Sequence, residues 1–168
     1  MKKFTFTSVL LIAALISVNA QSPTYAWAKK AGASNYERAN TIYVDAAGNS
    51  YITGEFRDTA YFGSIMLLGN SFVPANYTDV FVAKYDAAGN VLWAKKAGGT
   101  GYDYGQSIAT DANGNVLVTG YFGSTAITFG SYTLNKLGFY DIFVSKYNSS
   151  GNVLWAKRAG GTSSDKGY

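Results

Sequence analysis

The side chains that most often carry covalent chemistry are missing, because the 168 residues contain neither histidine nor cysteine. This excludes a Ser-His-Asp or Cys-His nucleophile system and a His/Cys zinc site from the segment. Carboxylates remain. Glu37, Asp103 and Asp165 recur at intervals of 66 and 62 residues, each in a stretch that reads as a connecting loop. A ring of such acids could bind cations or serve glycoside hydrolysis, which needs two carboxyl groups at set separations. The competing account is a loop carboxylate that caps backbone N–H donors. Tyr36, Tyr102 and Tyr104 stand beside the acids, where a flat ring with a polar tip suits stacking on sugars or gripping a protein. Packing between repeated units would place tyrosines there as well. The candidate ligand-binding set is therefore Tyr36, Glu37, Tyr102, Asp103 and Tyr104, with no catalytic residue and no cofactor expected.

Two further stretches invite a chemical reading and lose it. Asp111, Asn113 and Asn115 alternate like the opening of a calcium loop, but the glycine stands fourth rather than sixth and no bidentate glutamate follows, so no metal is expected. The run "GGTGYDYG" is glycine-rich yet lacks the lysine and the following helix of a phosphate cradle.

Stretches of sequence that occur more than once must position these residues. "GNVLWAKKAGG" (89–99) returns as "GNVLWAKRAGG" (151–161), and "YAWAKKAGA" (25–33) is a worn third copy. Trp27, Trp93 and Trp155 keep the 66- and 62-residue spacing of the acids. Each full period carries two five-residue turn signals, "DAAGN" at 45–49 and 86–90 in one and "DANGN" at 111–115 and "NSSGN" at 148–152 in the other. Gly in fourth place supplies the left-handed residue of a three-residue hairpin loop, and the leading Asp or Asn folds back on its own backbone. Two hairpins per period mean four strands. In the second copy they are expected over 106–110, 116–122, 142–147 and 153–158, with the variable segment between the hairpins left as loop or irregular edge. Both faces of these strands carry apolar groups, as in sheets covered on both sides. A β-propeller of stacked four-stranded blades explains this best, ahead of a solenoid and of a two-sheet sandwich. Trp93 and Trp155 then belong between blades, and the paired bases Lys95, Lys96, Lys157 and Arg158 belong on an outer edge that discourages foreign pairing.

From residue 26 to the end, "GGTGYDYGQSIATDANGNVLVTGYF", the following "FG" and "DIFVSKYNSSGNVLWAKRAGG" resemble the SBBP (seven-bladed β-propeller) repeat of exported bacterial proteins. The first copy departs from it at Ala33 and Ala39, where the second has Gly99 and Gly105. The resemblance implies an all-β chain of antiparallel four-stranded blades and an extracytoplasmic scaffold, and it carries no catalytic motif.

The expected organisation is a signal peptide over 1–20, a strand and loop over 21–39, one blade with its connecting loop over 40–105, a second over 106–161, and the start of a third repeat over 162–168. Lys2 and Lys3 followed by a short apolar run and Ala20 make the leader pattern, and the run is too short to span a bilayer. Two blades cannot close a ring, so the chain reads as part of a longer one closed by further repeats, the alternative being assembly from several copies. The unpaired strand at 25–32 would then complete the last blade. The net charge of +4 falls to +2 without the leader lysines, too little to imply nucleic acid or an anionic membrane. An aromatic share of 16% argues against disorder. The expected product is a secreted or cell-surface, non-enzymatic scaffold for an unknown protein or glycan partner. The alternative is part of a carbohydrate-active propeller enzyme whose catalytic parts lie mostly elsewhere.

Overall fold

The computed structural model describes residues 26–70 and 77–168. The leader over 1–20 and Tyr25 lie outside the described residues. No α-helix occurs among the described ones, which form twelve strands.

The first unit contains β1 (Glu37–Val44), β2 (Ser50–Phe56), β5 (Asp79–Tyr85) and β6 (Val91–Ala97), hydrogen-bonded in that order into an antiparallel sheet. The second repeats it with β7 (Asp103–Thr110), β8 (Val116–Phe122), β11 (Asp141–Tyr147) and β12 (Val153–Ala159). β1 and β2 both pack against β7, so the sheets meet along their first strands, as blades do around a propeller axis.

The four turns close as their sequences predict. In each, the fourth-place glycine has φ between 73° and 81°, and the leading residue exchanges backbone hydrogen bonds with the loop, as in Asp111 N–H to Asn115 O and Gly114 N–H to Asp111 O. Gly114 has nothing nearer to its missing side chain than Ser149 Cβ at 4.0 Å, so only backbone strain opposes a substitution there. Gly114→Ala is expected to lower stability by about 1–2 kcal/mol, read as a shift in urea midpoint at constant slope.

The first strand of the second unit starts at Asp103, three residues earlier than alternation alone suggests. A bulge at Gln106 breaks the alternation, but Tyr104 and Gly105 still pair with Tyr121 and Gly120. The variable segment is also more regular than expected. It forms two small hairpins, β3 (Thr59–Phe62) with β4 (Ile65–Leu68) and β9 (Ala126–Phe129) with β10 (Tyr132–Asn135). Each turns on a Gly-Ser pair whose glycine, Gly63 or Gly130, has φ near 58°, the two-residue hairpin geometry. Four-residue strands carry too little alternation to announce themselves.

These hairpins help to shield the sheets. In the first sheet Tyr51, Val80, Val82 and Trp93 point to the second sheet, meeting Val116, Val118, Phe122, Phe143 and the hairpin residues Ile127 and Phe129 in one buried core. The opposite face, with Phe56, Phe81, Ala83 and Tyr85, is covered by Ala60, Phe62 and Leu67 of its own hairpin. The far face of the second sheet (Leu117, Tyr121, Ile142, Val144) is only half-buried.

The recurrent tryptophan has a recurrent seat. Trp93 stacks on Tyr147 of the next sheet at 6.4 Å between centroids, and its indole N–H donates to Ser149 O at 3.0 Å. Trp27 repeats both contacts one unit earlier, on Tyr85 and Ala87 O. Residues 26–32 thus lie where an outer strand of a preceding blade would lie, although among the described residues they form only one bridge, Ala31 to Phe62. Gly98 follows because the chain passes against the buried Asp79 carboxylate, where a Cβ would sit 1.9 Å from Oδ1.

Candidate functional site

The loops leading into β7, out of β8 and into β11 gather at one end of the second sheet, because neighbouring antiparallel strands bring their alternate ends together. Asp103 and Asp165 lie here, Glu37 stands at the equivalent place before the first sheet, and each holds its own loop. Glu37 accepts Ala33 N–H at 2.9 Å, Asp103 accepts Gly99 N–H at 3.0 Å, and Asp165 accepts Gly161 N–H at 2.8 Å. All three bonds reach back four residues. Asp103 also accepts Ser124 Oγ–H at 2.7 Å and Ser124 N–H at 3.2 Å, and it is wholly buried. Burial pushes its carboxyl up to about 7, against the pull of the Ser124 bonds and with help from the nearby Asp79 charge.

Asp79 and Asp141 are the same position in successive units, and their surroundings drive them apart. Burial pushes Asp79 up to about 6, although Asn70 N–H and the Lys96 charge pull the other way. Burial also works against Asp141, but donors from Leu137, Arg158 and Gly138 outweigh it and hold the group below its ordinary value. The guanidinium of Arg158 reaches Asp141 at 2.9 Å, whereas the Lys96 ammonium turns to Leu68 O and Asn70 Oδ1. One guanidinium nitrogen of Arg158, Nη1, donates to both the carboxylate and Gly160 O.

The tyrosines are partly exposed. Tyr102 stacks on Tyr104 at 6.3 Å and meets Tyr77 edge-on at 5.0 Å. Tyr104 continues to Tyr121 at 4.8 Å, and Tyr121 meets Tyr140 edge-on at 5.4 Å. The Lys166 ammonium lies 5.1 Å and 5.2 Å above Tyr121 and Tyr140. A groove of about 360 Å³ opens between Tyr77, Tyr102, Lys136, Phe139 and Tyr140. Tyr36 stands apart in the first unit, its hydroxyl donating to Glu55 Oε1 at 3.3 Å and its ring under Arg57 at 4.9 Å. Glu55 links the two groups. It is buried, raised by that burial, bonded by the bulge residue Asn40, and its charge is felt by Tyr104.

Thus Tyr102 and Tyr104 join one aromatic surface, while Glu37 and Asp103 turn to the backbone. The residues missing from the sequence-based set are Tyr77, Tyr121, Phe139 and Tyr140. Tyr121 could have been found by pairing "DYG" with "TGYF" across the first hairpin. Phe139 and Tyr140 depend on β11 lying beside β8. In the "DANGN" turn, Asp111 accepts both Asn113 N–H and Asn115 N–H, Asn115 Nδ2–H and the Lys146 ammonium. Among the described residues no group of three or more His, Cys, Asp or Glu is placed to hold a metal, and no helix is long and apolar enough to cross a membrane.

Residues 92–121 match the family profile described as the SBBP β-propeller repeat. The match runs from an outer strand, through the tyrosine loop, into the second strand of the next sheet. The chain is similar to an uncharacterized WD repeat-containing protein of Acanthamoeba polyphaga mimivirus, 33% identical over 145 residues, which is 76% of this chain and 10% of the relative. It is also similar to the regulatory protein FlaEY of Caulobacter vibrioides, 32% identical over 92 residues, 53% of this chain and 10% of the relative. The chain spans about a tenth of the length of these curated relatives.

Proposed function

We propose that the chain is a stretch of an exported, non-enzymatic β-propeller that binds a protein or glycan through the tyrosine-rich loop end of its blades. One observation carries this reading: a contiguous outward surface of Tyr77, Tyr102, Tyr104, Tyr121 and Tyr140 on a frame whose acids are turned inward. Rigid aromatic area with hydroxyl tips binds at low entropic cost, and loops on a fixed scaffold are where recognition usually sits. Export rests on the leader pattern of residues 1–20, and ring closure rests on further repeats covering the half-buried face of the second sheet.

The second reading, part of a carbohydrate-active enzyme, draws on the same rings, since tyrosine also stacks on sugars. Both are tested on the full secreted chain with cellohexaose, xylohexaose and chitohexaose, by calorimetry and by reducing-end release, alongside a panel of purified surface proteins. The scaffold reading expects saturable binding without turnover, weakened about tenfold by Tyr102→Ala with Tyr140→Ala. Sugar cleavage that survives in the folded protein and disappears with Asp103→Ala would establish the enzyme instead. Unchanged affinity in the tyrosine variant would remove this surface from recognition.

A further inference from the structure

At the other end of the strands, beside the turns that follow β5 and β11, two grooves repeat one another. Lys29, Gly63, Ser64, Tyr85, Gly89 and Asn90 line one of about 200 Å³. Lys95, Gly130, Ser131, Tyr147, Gly151 and Asn152 line the other, of about 300 Å³. Position for position the residue types are the same. The hairpins that contribute Gly-Ser have otherwise drifted, with Met66 and Leu68 in one answering to Thr133 and Asn135 in the other.

Folding accounts for part of this agreement. The glycines occupy left-handed turn positions, and the tyrosines seat the tryptophans. The serines suit the second place of a two-residue turn and the lysines an outer strand, and both also face the grooves. Among the described residues Lys29 and Lys95 enter neither of the two ion pairs, and Ser64 and Ser131 are exposed. Lys29 keeps its place in the worn copy, where the flanking Val-Leu of the other two has become Tyr-Ala. Lys157 holds the equivalent place on β12.

We propose that each blade junction carries an anion subsite for one negatively charged sugar unit, so that the propeller's rim binds an acidic polysaccharide. The ammonium of Lys29 or Lys95 meets the carboxylate or sulfate, and the Ser64 or Ser131 hydroxyl hydrogen-bonds a sugar oxygen. Each contact is weak. Repetition at successive blades lets one polymer engage several subsites at once, which raises its affinity without new contacts. Two bases per blade are too sparse for the phosphate density of nucleic acid. The subsites are separate from the tyrosine surface and stand or fall independently of it.

The test titrates the full chain with dextran sulfate, polygalacturonate and neutral dextran at physiological salt. Saturable binding to an acidic polymer but not to dextran is expected, and the polymer that binds identifies the oxyanion. Lys29→Gln with Lys95→Gln keeps the side-chain stems and should lower affinity about tenfold or more through lost multivalency. The charge-matched pair Lys84→Gln with Lys146→Gln should lower it less than about threefold, as a general charge effect would. Equal losses in the two pairs, equal binding of a DNA duplex, or no binding to either acidic polymer would each overturn the proposal.

Discussion

Trp93→Ala is expected to destabilise the protein by about 3–5 kcal/mol, the usual range for deleting a large buried aromatic. Trp93 is 7% exposed, and its removal opens the contact with Tyr147 and leaves Ser149 O without the indole donor. The loss falls on the joint between sheets, so it should appear as a lower urea midpoint for the second unit, followed by the fluorescence of Trp155. Trp155 occupies the same position on β12, yet it is only half-buried, since among the described residues no third sheet covers it. Trp155→Ala should cost about 1 kcal/mol, in proportion to the smaller area removed from contact. If the two substitutions cost the same, stacking on the next sheet's tyrosine is not what the repeated tryptophan does.

The second large effect is on pH dependence. Asp103 and Asp79 titrate near 7 and near 6 in the folded chain, both raised by burial from an ordinary 3.8. Between these values the folded chain holds protons that the unfolded chain has released. Stability from this source is therefore complete below about pH 4 and is lost as pH rises through about 7. The lowered carboxyls of Asp45 and Asp141 act in the opposite sense, and only at more acid pH. Denaturation at pH 5 and at pH 8 should show the protein less stable at pH 8, by on the order of 1–3 kcal/mol. Asp103→Asn should flatten this difference. It should also weaken the protein at pH 5, because an amide offers one acceptor oxygen where Gly99 N–H, Ser124 N–H and Ser124 Oγ–H all donate. A wild-type protein more stable at pH 8 than at pH 5 would show that these acids are ionised and satisfied in the interior.

The two effects share a cause. Each blade ends in a tryptophan strand that stacks on the next blade, then passes through a Gly-Gly or Gly-Ala pair into the loop that its acid closes. Trp93 and Asp103 fasten the two sides of the same junction.

Much of this architecture is legible in the amino-acid order. Four turns announce themselves by glycine in a fixed place after Asp or Asn, and that chemistry is local, so composition predicts it. The strands between them follow from alternation, and the repeat of "NVLWAKKAGG" implies that one solution is used several times. The two small hairpins are not legible there, because four-residue strands around Gly-Ser carry too little alternation. The start of β7 is hidden for a related reason: the bulge at Gln106 shifts which side chains face inward.

The candidate site divides differently. The residue types and their spacing determined that a histidine- and cysteine-free chain would rely on carboxylates, aromatics and lysines, and that these would recur with the blades. Only the tertiary structure decided which way each one faces. Glu37 and Asp103 turn to backbone amides four residues back, because a loop that leaves one sheet for the next would otherwise bury unpaired donors. Tyr102 and Tyr104 turn outward onto Tyr121 and Tyr140, partners set by sheet order and register. Spacing along the chain repeats what is local, whereas the partner of a side chain depends on which strands become neighbours. That choice is made by burying two apolar faces at once.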